Sequence, residues 1–118
     1  MTVRLLNSAC MPVPGTYRLS ALKPARFANL VRYYTESCEL ISYVGYPDAC
    51  RILEEFCEVP IALNRQSTPV EDGDLLLIAR LKYRVGNPAA KGQVRATIDD
   101  YEFFKCSYSA ASETPSVL

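Results

Sequence analysis

The sequence predicts one small mixed α/β domain, a sheet with helices packed against it. The first observation behind this is an alternation of short β-type runs with two segments of helical period. A second is size: 118 residues at 49% hydrophobic and 22% charged suffice for one compact core and leave no room for two. The third is Leu75 to Ala79, apolar on both faces, the pattern of a central strand covered on both sides. The domain is expected over residues 1–108, with the small, polar stretch 109–118 as a disordered tail.

The elements follow in order. Val3 to Leu6 is a short β-type run that ends at Asn7 and Ser8. A Pro/Gly turn from Met11 to Gly15 leads to a second expected strand, Thr16 to Leu19, which should pair with or neighbour the first. From Pro24, apolar residues fall at Phe27, Leu30, Val31 and Tyr34, one stripe of an amphipathic helix, with Arg26, Asn29 and Arg32 on the outer side. Pro24 suits the first turn, where a missing N–H costs nothing. Glu39 to Val44 reads as a strand, and Gly45 ends it. The next helix turns Ala49, Cys50, Ile52, Leu53, Phe56 and Cys57 inward, and Asp48, Arg51, Glu54, Glu55 and Glu58 outward. Its two cysteines therefore read as core thiols.

Ile61 to Leu63 is a short apolar run and Pro69 to Gly73 a turn. Leu75 to Val85 is the strongest strand. In its second half Arg80, Lys82 and Arg84 face one way and Leu81, Tyr83 and Val85 the other. That row of cations is either a solvated margin or a seat for an anion. Gly86, Asn87 and Pro88 end the strand, residues 90–96 suit a short helix, and Tyr101 to Tyr108 reads as the last strand.

Composition then excludes several functions. Net charge is zero, so no global field attracts duplex nucleic acid or a membrane surface, and an anion site must be local. No apolar run has the length of a signal peptide core or a membrane span. Five cysteines without CxxC spacing fit reduced thiols, and the expected location is the cytosol of a host cell. The absence of histidine removes Ser/His/Asp and Cys/His catalysis and every histidine-ligated metal site. The scattered cysteines do not suit a four-thiolate zinc site, so neither metal nor cofactor is expected.

The stretch Val44-Gly45-Tyr46-Pro47-Asp48 carries the local chemistry. A strand ends, glycine turns the chain, and Pro47 takes the first helical position with Tyr46 beside the N-cap. The unpaired N–H groups of such a helix start stabilise an exposed anion by about 0.3–1 kcal/mol and form a ready phosphate seat.

Leu5-Leu6-Asn7-Ser8-Ala9 followed by Pro14-Gly15, Ile41 to Gly45 entering a helix, Leu63-Asn64-Arg65, and Gly73-Asp74 before a long strand ending at an arginine occur in one order. Together they resemble the ring nucleases of viruses and mobile elements, type III anti-CRISPR proteins with an archaeal-virus B116-like fold. The resemblance spans roughly residues 3 to 108. It implies a homodimer that binds cyclic tetra-adenylate across its two-fold axis and cleaves it without metal. It also implies that Asn7 and Ser8 line the pocket with Gly45, and that Arg65 and Arg84 hold phosphates. The residue after Gly45, where the family has its catalytic histidine, is Tyr46 here. Where the family carries a glutamate beyond the strand-ending arginine, this chain has Gly86 and Asn87.

Both proton-handling positions depart from the pattern while charge-holding positions remain. Phenols ordinarily titrate near 10, and losing general acid or base help costs about 10²–10⁴ in rate. Arginine stays protonated and meets phosphate in two parallel hydrogen bonds. The expected function is therefore binding and sequestration of a cyclic nucleotide messenger of antiviral signalling. Two alternatives remain open: a slow metal-independent ring nuclease that works by positioning alone, and a protein-interaction domain with no nucleotide ligand.

Overall fold

In a computed structural model of the chain, residues 2–8, 13–82 and 97–110 are described. The order is β1 (Val3–Leu6), β2 (Gly15–Leu22), α1 (Pro24–Glu36), β3 (Leu40–Tyr43), α2 (Pro47–Cys57), β4 (Leu75–Leu81), a single 3₁₀ turn (Ile98–Asp100) and β5 (Tyr101–Ala110). The strands form one mixed sheet in the order β2-β5-β4-β1-β3. β1 runs parallel to both β3 and β4, whereas β5 is antiparallel to β4 and β2. The expected α/β class holds, and β4 is the central strand.

Both helices lay their apolar stripes on one face. Phe27 and Val31 of α1 and Leu53 and Cys57 of α2 are fully buried against Val3, Leu5 and Leu77. Phe27 meets Phe103 of β5 in a tilted contact at 4.6 Å, and Phe56 stacks on the same ring at 6.0 Å. Each such side chain contributes about 1.5–3 kcal/mol on leaving water. Burial pushes the Cys57 thiol up to about 12, against the opposing pull of Arg32, whose Nη1 donates to the Cys57 carbonyl at 3.1 Å. It is a core thiol. The second face holds a smaller cluster of Leu6, Leu76, Ile78 and Cys106, with Tyr17, Val70 and Phe104 packed on it. Among the described residues no helix lies there, so neighbouring side chains and the segment around Val70 cover the second face of β4.

Four expectations change. β1 and β2 do not touch: β2 pairs with β5 from Gly15 opposite Ala110 to Leu22 opposite Phe103. The four residues of β1 are all buried, which requires a neighbour on each side, and β3 and β4 supply them. The last strand passes its expected end, because Ser109 and Ala110 pair with Thr16 and Gly15, and the Ala110 N–H donates to Asp72 Oδ1 at 2.7 Å. The strand thus runs to Ala110 rather than Tyr108, and residues 111–118 of the expected tail lie outside the described residues. Glu58 is exposed as expected but lies past the last helical residue, capping α2 in the left-handed conformation, φ 61°, with its N–H donating to Glu54 O. Finally, Arg80 pairs with Glu102 at 2.8 Å and Lys82 Nζ donates to Asp99 O at 3.0 Å, so these two cations hold the sheet's end together. Tyr83 to Val85, Gly86, Asn87 and the helix expected at 90–96 lie outside the described residues, as does Arg84.

One ion pair had no sequence signal. Arg4 and Asp74 are each 5% exposed and meet at 2.9–3.0 Å, and Asp74 Oδ2 also accepts the Glu71 N–H at 2.8 Å. The pair ties β1 to the residue that opens β4.

Candidate functional site

Because β4, β1 and β3 are parallel, their C-terminal ends open on one rim, the usual place for a ligand crevice in sheets of this kind. A cleft of about 380 Å³ lies there. The end of β1 gives Leu6, Asn7 and Ser8; the end of β3 gives Tyr43; the corner into α2 gives Gly45 and Tyr46; and the loop that follows α2 gives Asn64 to Thr68.

Gly45 is the joint between these parts. Its N–H donates to Asn7 Oδ1 at 3.2 Å, and its carbonyl accepts from Arg65 Nε at 2.9 Å. One peptide unit thus binds the end of β1 to the loop that carries the arginine. Asn64 holds that loop from the other side. Its backbone N–H donates to Val44 O at 2.9 Å, its Nδ2 to Ser42 O at 3.0 Å, and its Oδ1 accepts the Gln66 N–H at 3.0 Å. Leu63 beside it forms an isolated parallel bridge to Val44, which explains why the short apolar run ends where it does.

Tyr46 is the N-cap residue of α2, makes no side-chain cap bond and is 64% exposed. Pro47 has no N–H, and Cys50 N donates to Tyr46 O, so the N–H groups of Asp48 and Ala49 are the first without a partner in the helix. Behind the corner the Cys50 Sγ lies 3.8 Å from Val44 O. Burial first, and the charge of Glu54 second, push this thiol's pKa up.

Among the described residues, the cleft wall contains one guanidinium, amides, hydroxyls and two phenols, and no carboxylate. This is donor-rich and lightly positive. Among the described residues no group of three His, Cys, Asp or Glu is arranged to hold a metal ion. The structure brings together Asn7, Ser8, Gly45, Tyr46 and Arg65, five of the six residues singled out in the sequence; Arg84, the sixth, is outside the described residues. Asn7 lines the cleft and its Oδ1 also accepts the Gly45 N–H. Leu6, Tyr43, Asn64, Gln66, Ser67 and Thr68 were not anticipated as wall residues. The signal that could have found them is the uninterrupted polar run from Asn64 to Thr68 after an apolar stretch.

The family model described as STIV B116-like matches residues 3–109. The solved structure of B116 of Sulfolobus turreted icosahedral virus aligns with a TM-score of 0.74 at 19% identity, covering 91% of this chain and 99% of that one. No curated protein matches the sequence. No helix among the described residues is long and apolar enough to cross a membrane.

Proposed function

The chain belongs to the STIV B116-like family, and from that premise we propose that it binds a cyclic nucleotide messenger, cyclic tetra-adenylate or a relative, and holds it without cutting it. The observation that carries this reading is the pairing of a fixed arginine with a missing proton donor. Arg65 is anchored through Nε to Gly45 O, while the position beside the glycine is Tyr46 in a chain with no histidine at all. The terminal nitrogens of Arg65 and the start of α2 supply donors for phosphate; each charge-assisted bond contributes about 1.5–3 kcal/mol. Tyr46 and Tyr43 offer faces on which a base can stack, for about 1–3 kcal/mol per base.

A two-fold-symmetric ring suits a homodimer in which each protomer brings one cleft. Leu6 and Tyr43, which line the cleft, also belong to the sheet face that carries no helix among the described residues. At the β3 margin that face exposes Ile41, and pairing this margin with its equivalent sets the two clefts on one side of the dimer. Retention in the cytosol of an infected cell, and interference with antiviral signalling there, follow from the same reading. The test is calorimetric titration with cyclic tetra-adenylate, run beside light scattering at micromolar protein. One ring bound per dimer supports the proposal. A monomer that binds no nucleotide would leave the protein-interaction alternative in its place.

A further inference from the structure

The molecule is electrically lopsided in a way that the cleft does not use. Before Glu36 the chain has Arg4, Arg18, Lys23, Arg26 and Arg32 and no acidic residue. Arg4 is neutralised by Asp74, and Arg32 is spent on Asn29 and the Cys57 carbonyl. Arg18, Lys23 and Arg26 remain exposed, and Lys105 joins them from β5, where it stands opposite Ser20 of β2. Among the described residues none of these four makes an ion pair. Helix α1 even carries its charges against its own dipole, with Arg26 in the first turn, Glu36 in the last and no acid at the start. Local stability would favour the opposite arrangement, so the cations serve something else.

They flank a sheet edge. β2 is eight residues long, contains no proline, and pairs only with β5 among the described residues. In an antiparallel pair alternate residues turn both backbone groups away from the partner, so its outer side presents a row of free N–H and C=O groups. Its side chains sort cleanly by face. Thr16, Arg18 and Ser20 share the helix side with Lys105, whereas Tyr17, Leu19 and Ala21 share the other side with Phe104 and Cys106. Leu19 is 46% exposed.

We infer that the outer edge of β2 is a docking strand for an extended segment of a partner protein in which acidic and apolar residues alternate. Such a segment adds a sixth strand through backbone hydrogen bonds. Its acidic side chains fall beside Arg18 on the helix face, and its apolar ones beside Tyr17 and Leu19 on the other. The edge favours a peptide over a nucleic acid strand because it supplies backbone pairing at peptide spacing and places no aromatic ring on the basic face. β2 and the cleft-bearing β3 are opposite margins of the sheet, so this surface is independent of the nucleotide proposal.

The experiment uses the full chain labelled with ¹⁵N and an eight-residue peptide of alternating Glu and Val, matched to the length of β2. The expected result is amide shifts concentrated on Gly15 to Leu22, slowed hydrogen exchange at alternate β2 amides, and no response to the Lys/Val counterpart. Arg18→Glu should weaken the Glu/Val peptide about tenfold and admit the Lys/Val peptide, without changing the fold. Shifts confined to other elements, no shifts at millimolar peptide, or an Arg18→Glu variant that binds Glu/Val as before would each overturn the inference. So would a single-stranded oligonucleotide that shifts the same amides at lower concentration than the peptide.

Discussion

Arg65 Nε donates to the carbonyl of Gly45 at 2.9 Å, which holds the guanidinium by its inner nitrogen and leaves its two terminal nitrogens for an anion. Most exposed arginines spend rotamer entropy when they grip a ligand; this one has spent part of it in the fold.

Replacing Arg65 by alanine is therefore expected to weaken cyclic tetra-adenylate binding by about 1.5–3 kcal/mol while changing stability by less than about 0.5 kcal/mol, since the side chain is exposed. Arg65→Lys should recover little, because lysine has neither the inner N–H that meets Gly45 nor a planar fork for phosphate. Isothermal titration against urea melts of the same variants separates the two effects. Unchanged affinity in both would remove Arg65 from the site.

Asn7 allows stability and binding to be pulled apart. Its Oδ1 accepts the Gly45 N–H at 3.2 Å, so Asn7→Ala leaves that donor without its partner and should cost about 0.5–1.5 kcal/mol in urea denaturation. Asn7→Asp keeps an acceptor at the same place, and its stability should stay near wild type. The added negative charge, in a cleft whose described lining has no carboxylate, should still weaken a phosphate ligand. If the Asp variant binds as tightly as wild type, the cleft does not seat an anion beside Asn7.

How far these features could be read beforehand depends on whether they are local. The stripe Phe27, Leu30, Val31 and Tyr34 and the glycine corner before Pro47 are written in consecutive residues, and both elements stand where that pattern puts them. The partner of β2 is not written there. Choosing β5 over β1 depends on which strand can bury all four residues of β1, a property of the whole sheet. Arg4 shows the same limit: within Val3-Arg4-Leu5-Leu6 it reads as an exposed break, and only Asp74, seventy positions away, makes it a buried residue. In the cleft, Gly45 and Tyr46 were legible from the helix start, and Arg65 from the order of motifs. The wall from Gln66 to Thr68 was not, because an irregular polar loop has no periodicity to reveal which side it turns inward.

The Arg4–Asp74 pair is the fold's most exposed liability to single substitution. Asp74→Ala leaves a guanidinium with about 5% exposure and no counter-charge, and also removes the acceptor of the Glu71 N–H. The expected loss is about 3–5 kcal/mol. The double variant Arg4→Met with Asp74→Leu should recover a large part of it, since no charge is then left buried alone. Chemical denaturation of the two variants at one temperature decides the matter. Equal stability of Asp74→Ala and wild type would mean that water or a rearranged side chain reaches Arg4.

Tyr46 separates holding from cutting. It stands at the N-cap of α2, on the cleft wall, at the position where the resembling enzymes carry the histidine that protonates the leaving oxygen. Binding energy that is equal in ground and transition states does not speed the chemical step, so a cleft that retains Arg65 but has no proton donor should hold a ring and leave it whole. Wild-type protein in excess over cyclic tetra-adenylate, denatured by heat after an hour, is expected to release the ring intact, as read by ion-pair chromatography. Linear products within minutes would replace sequestration by slow cleavage through positioning alone. Tyr46→His should then gain cleavage of the bound ring, because an imidazole at the same N-cap titrates near neutrality where a phenol ordinarily does not. The gain should be modest, since Asn87 and its neighbours supply no second carboxylate in sequence. If Tyr46→His binds the ring as tightly as wild type and still releases it unbroken, the place of Tyr46 in the cleft is structural and the missing histidine is not what keeps the ring whole.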